Sequence, residues 1–185
     1  MINYSYLRPT KANQLKMLHN NELFKNDSLD ARLYDNATVL PLKKFANDTL
    51  VWGRGGLVDS NGDYVCDSGI DGFVNDAYDY SNSDYIDEKV AYCGYLRFEW
   101  GHLIVDCSTR LYYVLQHYNE IDHFVFFIDE NAKRELYGNF KEFFELSGII
   151  DKLLIINKPT KFNRIIVPTK SYDRHKNIAT KIYTL

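Results

Sequence analysis

Val90-Ala91-Tyr92-Cys93-Gly94-Tyr95-Leu96, then Gly101 to Tyr118, then Phe124-Val125-Phe126-Phe127-Ile128 are the three stretches that decide the fold. The first and last are short apolar runs of strand length. Between them Leu103, Cys107, Leu111, Val114, Leu115 and Tyr118 recur at a three-four spacing, which predicts one helix over Gly101–Tyr118 with a single buried face. Reading onward, Asn131–Leu146 reads as a second helix, with Leu136, Phe140, Phe143 and Phe144 inward and a stop near Gly148. Leu153–Ile156 and Arg164–Val167 read as further strands, and Tyr172 onward reads as helical again. Alternating strands and helices are the rhythm of a parallel sheet wrapped by helices.

Working back towards the N-terminus, Thr38–Leu42 and Thr49–Trp52 are strand-like, and Pro41 suits an edge or interrupted strand. Gly55 to Ser68 reads as an antiparallel hairpin turning at Asn61-Gly62, a pair that tolerates the backbone of a tight turn. Asn75–Asp87 is rich in Asp, Ser, Asn and Tyr and reads as a surface loop. The first thirty-odd residues are polar, with a short helix expected over Lys11–His19. The expectation is one α/β domain over residues 1–185, with 1–89 giving strands, hairpin and loop and 90–185 the core.

A chain of 185 residues is long enough to bury a core of its own. Its 22 basic and 25 acidic residues nearly balance and no basic block stands out, which argues against nucleic acid as a partner. The chain holds 15 Tyr and 11 Phe; many fall at core positions, and any exposed in a cleft would suit the C–H faces of a sugar. Cys66, Cys93 and Cys107 are odd in number and lack a C-x-x-C spacing, which points away from disulfides and zinc and towards a reducing cytoplasm. Residues 1–6 lack the features of a signal peptide, and the apolar runs Phe124–Ile128 and Leu153–Ile156 are too short for a transmembrane segment. A cytoplasmic protein working at most beside a membrane is expected.

Chemistry concentrates in Glu99-Trp100-Gly101-His102 and the residues that follow. On a continuous helix His102, Asp106 and Arg110 fall at i, i+4 and i+8 and share one side. A neutral His in a first helical turn, beside an Asp, accepts a proton from a hydroxyl, and Glu99 is placed to steer it. The plainer reading makes Asp106–Arg110 an ordinary ion pair and His102 a cap. Asp129 and Glu130 lie at the carboxyl end of a strand, where open α/β sheets place ligands; the plainer reading makes them solvated loop charges.

Asp59, Asn61, Asp63 and Asp67 resemble a calcium loop, but Tyr64 and Ile70 stand where its Gly and Glu belong, so a turn is expected and no metal. Gly53, Gly55 and Gly56 form no dinucleotide fingerprint, and neither Ser108 nor Ser171 sits in a nucleophile elbow. Cys107 reads as buried filler, and His117, His123 and His175 as surface residues.

The run Trp100-Gly101-His102-Leu103-Ile104-Val105-Asp106-Cys107-Ser108-Thr109-Arg110-Leu111 resembles the W-x-H-x-x-x-D-x-x-x-R-L region of glycosyltransferase family 61, in particular its bacterial capsular-polysaccharide members. Gly55 to Asp63, with Ser68 after it, is similar to the family's upstream hairpin. Ile165-Ile166-Val167-Pro168 with Ser171-Tyr172 looks like the strand and loop that close its first half. The resemblance spans roughly residues 50 to 185.

It implies a Rossmann-like parallel sheet flanked by helices, the N-terminal half of a GT-B architecture. That half holds the glycan acceptor, and the other half, which this chain lacks, binds most of the nucleotide-sugar. It implies inverting transfer, with His102 and Asp106 as catalytic residues and the matching Trp100 and Arg110 on the substrate side; Glu99 and Asp129 are placed on that side by their positions, beside His102 and at the carboxyl end of a strand. No cofactor is implied beyond the nucleotide-sugar itself. Apolar surface left open by the missing half would favour a homo-oligomer. The alternative is a non-catalytic carbohydrate-binding or assembly module, a shortened relative of the enzyme.

Overall fold

The computed structural model describes residues 24–25, 29–44, 51–70, 77–173 and 178–180. The chain divides into two compact units, one of Met1–Leu29 with Lys170–Leu185, the other Asp30–Thr169. In the first, β1 (Phe24–Lys25) pairs parallel with β9 (Ile178–Thr180), which pairs antiparallel with β8 (Tyr172–Asp173). The helix expected from Tyr172 onward is therefore replaced, among the described residues, by strands. The β-branched Ile178 and Thr180 favour that outcome. The helix expected over Lys11–His19 lies outside the described residues, as does His175.

The larger unit is a mixed α/β structure around a curled six-stranded sheet of order β3-β2-β7-β4-β5-β6. Its strands are β2 (Ala31–Lys44), β3 (Val51–Val58), β4 (Asp84–Tyr95), β5 (His123–Phe127), β6 (Leu153–Ile156) and β7 (Thr160–Pro168). The run β7-β4-β5-β6 is parallel, whereas β2 is antiparallel to both β7 and β3. β4 begins at Asp84, inside the stretch read as loop, because Tyr85 and Ile86 align with Lys161 and Phe162 of β7. Pro41 sits in β2 beyond Val39, the last residue paired with β7, so its missing N–H interrupts no bond to that neighbour.

Alternation along β4 and β5 builds two separate cores. Ala91, Cys93, Phe124, Phe126 and Ile128 point to one face, where they meet Leu103, Cys107, Leu111, Phe140 and Phe144 of the helical segments. Val90, Tyr92, Val125 and Phe127 point to the other, where they meet Val39, Leu42 and Leu57 of β2 and β3 with Val65. Among the described residues, helices thus cover one face, and on the other the sheet curls over itself. The bridge between Leu42 and Asp129 marks the closure. Gly55, at φ +67, marks it too: a Cβ there would come within 2.3 Å of the Phe127 ring.

The hairpin expected at Asn61-Gly62 keeps its turn, closed by Asp59 N to Asp63 O at 2.9 Å, but its arms meet in a single bridge between Val58 and Tyr64. The second expected helix is shorter than its pattern: α3 spans Gly138–Leu146 after an extended Tyr137 at φ −140. It still stops before Gly148 and buries Phe140 and Phe144.

Candidate functional site

The single helix expected over Gly101–Tyr118 is broken. It forms α1 (Trp100–Val105), a 3-10 turn (Cys107–Arg110) and α2 (Leu111–Gln116). Asp106-Cys107-Ser108-Thr109 is a run of weak helix formers. Ser108 Oγ donates to Ile104 O at 2.6 Å, and Thr109 Oγ1 to Asp106 O at 3.0 Å, competing with the helical backbone. The break resets the phase, so Leu111 and Val114 are buried while Leu115, expected inward, is 56% exposed.

α1 follows the carboxyl end of β4, and the extended Glu99, at φ −116 and ψ 120, provides its N-cap. The amides of His102 and Leu103 both donate to Glu99 O. With six residues α1 has too little dipole for the helix-terminus argument to count for much. What stands is the pair itself. His102 Nδ1 lies 2.5 Å from Asp106 Oδ2, and both side chains are partly open, at 30% and 27%. A carboxylate accepts only, so Nδ1 carries the hydrogen in a neutral ring and the lone pair is left on Nε2. Glu99 Oε2 stands 3.9 Å from that nitrogen and is itself held by Arg97 Nε at 2.8 Å. Asp106 therefore fixes the imidazole, and Nε2 is the nitrogen free to take a proton.

Arg110 does not join them. The backbone break carries it inward, where Nε donates to Pro168 O at 2.7 Å and Nη2 to Asp67 O at 3.0 Å. It is 3% exposed and no carboxylate among the described residues forms an ion pair with it. Burial lowers its pKa, an effect opposed by the nearby Tyr92. The plainer reading of an Asp106–Arg110 pair fails on the same geometry. Arg110 is a clamp, joining the turn after α1 to the end of β7 and to the loop before Gly69. Tyr112 OH adds a bond to Thr169 O at 3.0 Å.

Trp100 is two residues from His102, about 200° round the helix. Its ring lies edge-on to Phe140 and Phe143 of α3, so it packs α1 against α3. Asp129 follows the carboxyl end of β5, but its partners were invisible in the sequence. Lys44 Nζ lies 3.0 Å from Oδ2 and the Tyr95 hydroxyl donates to the same oxygen at 3.4 Å. Lys44 is 85 positions away, and only closure of the sheet brings it near. Burial, and then the Asp129 charge, raise the Tyr95 pKa.

Asp59 is a turn residue: its Oδ1 accepts from the amides of Asn61 and Asp63, both at 2.9 Å. His123 Nε2 lies 3.2 Å from Glu88 Oε2 across β4 and β5, and both side chains are about one-third exposed. All three cysteines are free; Cys93 and Cys107 are buried and Cys66 is exposed. No described helix is long and apolar enough to cross a membrane. Comparison with protein-family models, with curated proteins and with solved structures finds no match.

Proposed function

We propose that this chain is the acceptor-side half of an inverting glycosyltransferase of cell-surface polysaccharide synthesis. His102 is its base and Asp106 the residue that orients the base. The observation that carries the reading is the His102–Asp106 pair at 2.5 Å on a partly open surface, with Nε2 left as the free nitrogen. In such a site Nε2 takes the acceptor hydroxyl's proton as the new glycosidic bond forms and the nucleotide diphosphate leaves. Glu99 supplies a second acceptor beside Nε2. The parallel run β7-β4-β5-β6, with α1 entered from the carboxyl end of β4, supports a Rossmann-like half as the frame.

The test is transfer by the protein encoded by the natural reading frame that contains this chain, assayed over a panel of nucleotide-sugars and glycan acceptors. His102→Ala is expected to lower kcat by roughly 10²–10⁴-fold with folding intact. Full turnover in that variant would remove the proposed base.

A further inference from the structure

Leu42, Lys44, Asp129, Glu130, Asn131 and Ala132 line an open groove of ≈ 290 Å³ at the carboxyl end of β5. This is the small end of the range for ligand pockets, roughly 300–1,000 Å³. Its walls are fastened by backbone bonds: Leu42 N to Ile128 O, Glu130 N to Leu42 O and Ala132 N to Asp129 O, each 3.0 Å. Its charges cancel, since Lys44 lies 3.0 Å from Asp129 Oδ2 and Lys43 lies 3.8 Å from Glu130 Oε2. Asp129 Oδ1 is buried with no hydrogen-bond partner. An acceptor left so costs about 1–3 kcal/mol until a donor reaches it.

These features select a class of ligand. A phosphate or diphosphate would face two carboxylates, and Lys44, the one cation among the described lining residues, is already held by Asp129. A divalent cation would find two carboxylates already engaged by lysines. A neutral polyhydroxyl molecule offers hydroxyl donors to Asp129, acceptors to the Asn131 amide, and C–H groups to Leu42 and Ala132.

We infer that this groove is a subsite for one neutral sugar unit, with the Asp129 carboxylate accepting from its hydroxyls. The inference rests on the proposed transferase only in calling that sugar part of a glycan; binding itself needs no transfer. Tyr95, which touches Asp129, closes β4 four residues before Glu99, so the subsite lies on the same edge of the sheet as His102.

The 185-residue chain is titrated with glucose, galactose and N-acetylglucosamine, and in separate arms with inorganic phosphate and uridine diphosphate, while backbone amide resonances are followed by NMR. At least one sugar is expected to move the Glu130, Asn131 and Ala132 amides saturably. Asp129→Asn should weaken that binding about tenfold or more, and Ala132→Phe, which fills the groove, should abolish it. Three results overturn the proposal: no saturable shift with any sugar, unchanged binding in either variant, or tighter binding of phosphate or the nucleotide at the same amides. Where Asp129→Asn does not fold, Ala132→Phe decides. Sugar binding here, together with no transfer by the natural protein over the panel of nucleotide-sugars and acceptors, would keep the subsite and remove the transferase. The opposite pair of results would remove the subsite alone.

Discussion

The guanidinium of Arg110 sits 5.5 Å from the centre of the Tyr92 ring, and the two side chains hold adjacent carbonyls of one loop. Arg110 Nη2 takes Asp67 O and Tyr92 OH takes Ser68 O. The cation–π contact and these bonds compensate part of the cost of burying a charge without a carboxylate. Arg110→Met should therefore destabilise the chain by about 2–4 kcal/mol, through the lost charged hydrogen bonds and the carbonyls left unpaired. Thermal unfolding should show a drop of roughly 5–15 °C. An unchanged transition would mean that the clamp contributes nothing.

Two glycines should respond in opposite directions. Gly55→Ala forces a side chain into a φ of +67 and against the Phe127 ring, and should cost about 2–4 kcal/mol. Gly101 stands in α1 with nothing near its Cβ position, and Gly101→Ala should stabilise by about 0.5–1 kcal/mol. Urea unfolding of both variants checks the signs, and a neutral Gly55→Ala would contradict the closed curl of the sheet.

The interrupted helix has its own test. Val114→Asp buries an unpaired charge and should cost roughly 3–5 kcal/mol, whereas Leu115→Asp should stay within about 0.5 kcal/mol. An unbroken helix with the sequence's original phase would penalise both. Circular dichroism melts of the two variants distinguish these cases.

That contrast shows how far the sequence carried. Strands β5 and β6, and the core face of α3, were legible because apolar runs and three-four spacings are local signals. The break at Asp106 was only partly so: its weak helix formers stand in the sequence, but the pull of Arg110 towards Pro168, 58 residues on, does not. His102 and Asp106 were readable as a pair because i, i+4 lies within one helical turn. Arg110 was misplaced because i+8 assumed that the turn continued. Lys44 and Tyr95 around Asp129 left no local trace, since a curled sheet brings them together from strands far apart in the chain.

Alkaline conditions should weaken the fold. Burial raises the Cys107 thiol to about 11 and the Tyr112 hydroxyl to about 12, and raises Cys93 and Tyr92 as well. Above the ordinary thiol range the unfolded chain has released protons that the folded chain still holds. Stability therefore falls as pH rises from about 9, by up to about 1.4 kcal/mol per pH unit for each such group. Denaturant midpoints measured from pH 7 to 11 should decline from about pH 9. A flat profile would mean that these groups ionise in place.

If the chain is the acceptor-side half proposed above, it should fold by itself and yet transfer no sugar, because catalysis between two domains depends on holding donor and acceptor together. Incubation with nucleotide-sugars and glycan acceptors, with no other protein added, should give no product. Turnover under those conditions would show that this half contains a complete catalytic site.

The two cores on opposite faces of β4 restrict how this gene can diverge. Val90 and Tyr92 serve one core while Ala91 and Cys93 serve the other. One codon gained or lost between them would exchange the two sets and damage both cores in a single event. Lineages descending from this sequence should change here by substitution alone. Insertions and deletions should collect instead in residues 133–135, which are exposed and belong to no helix or strand.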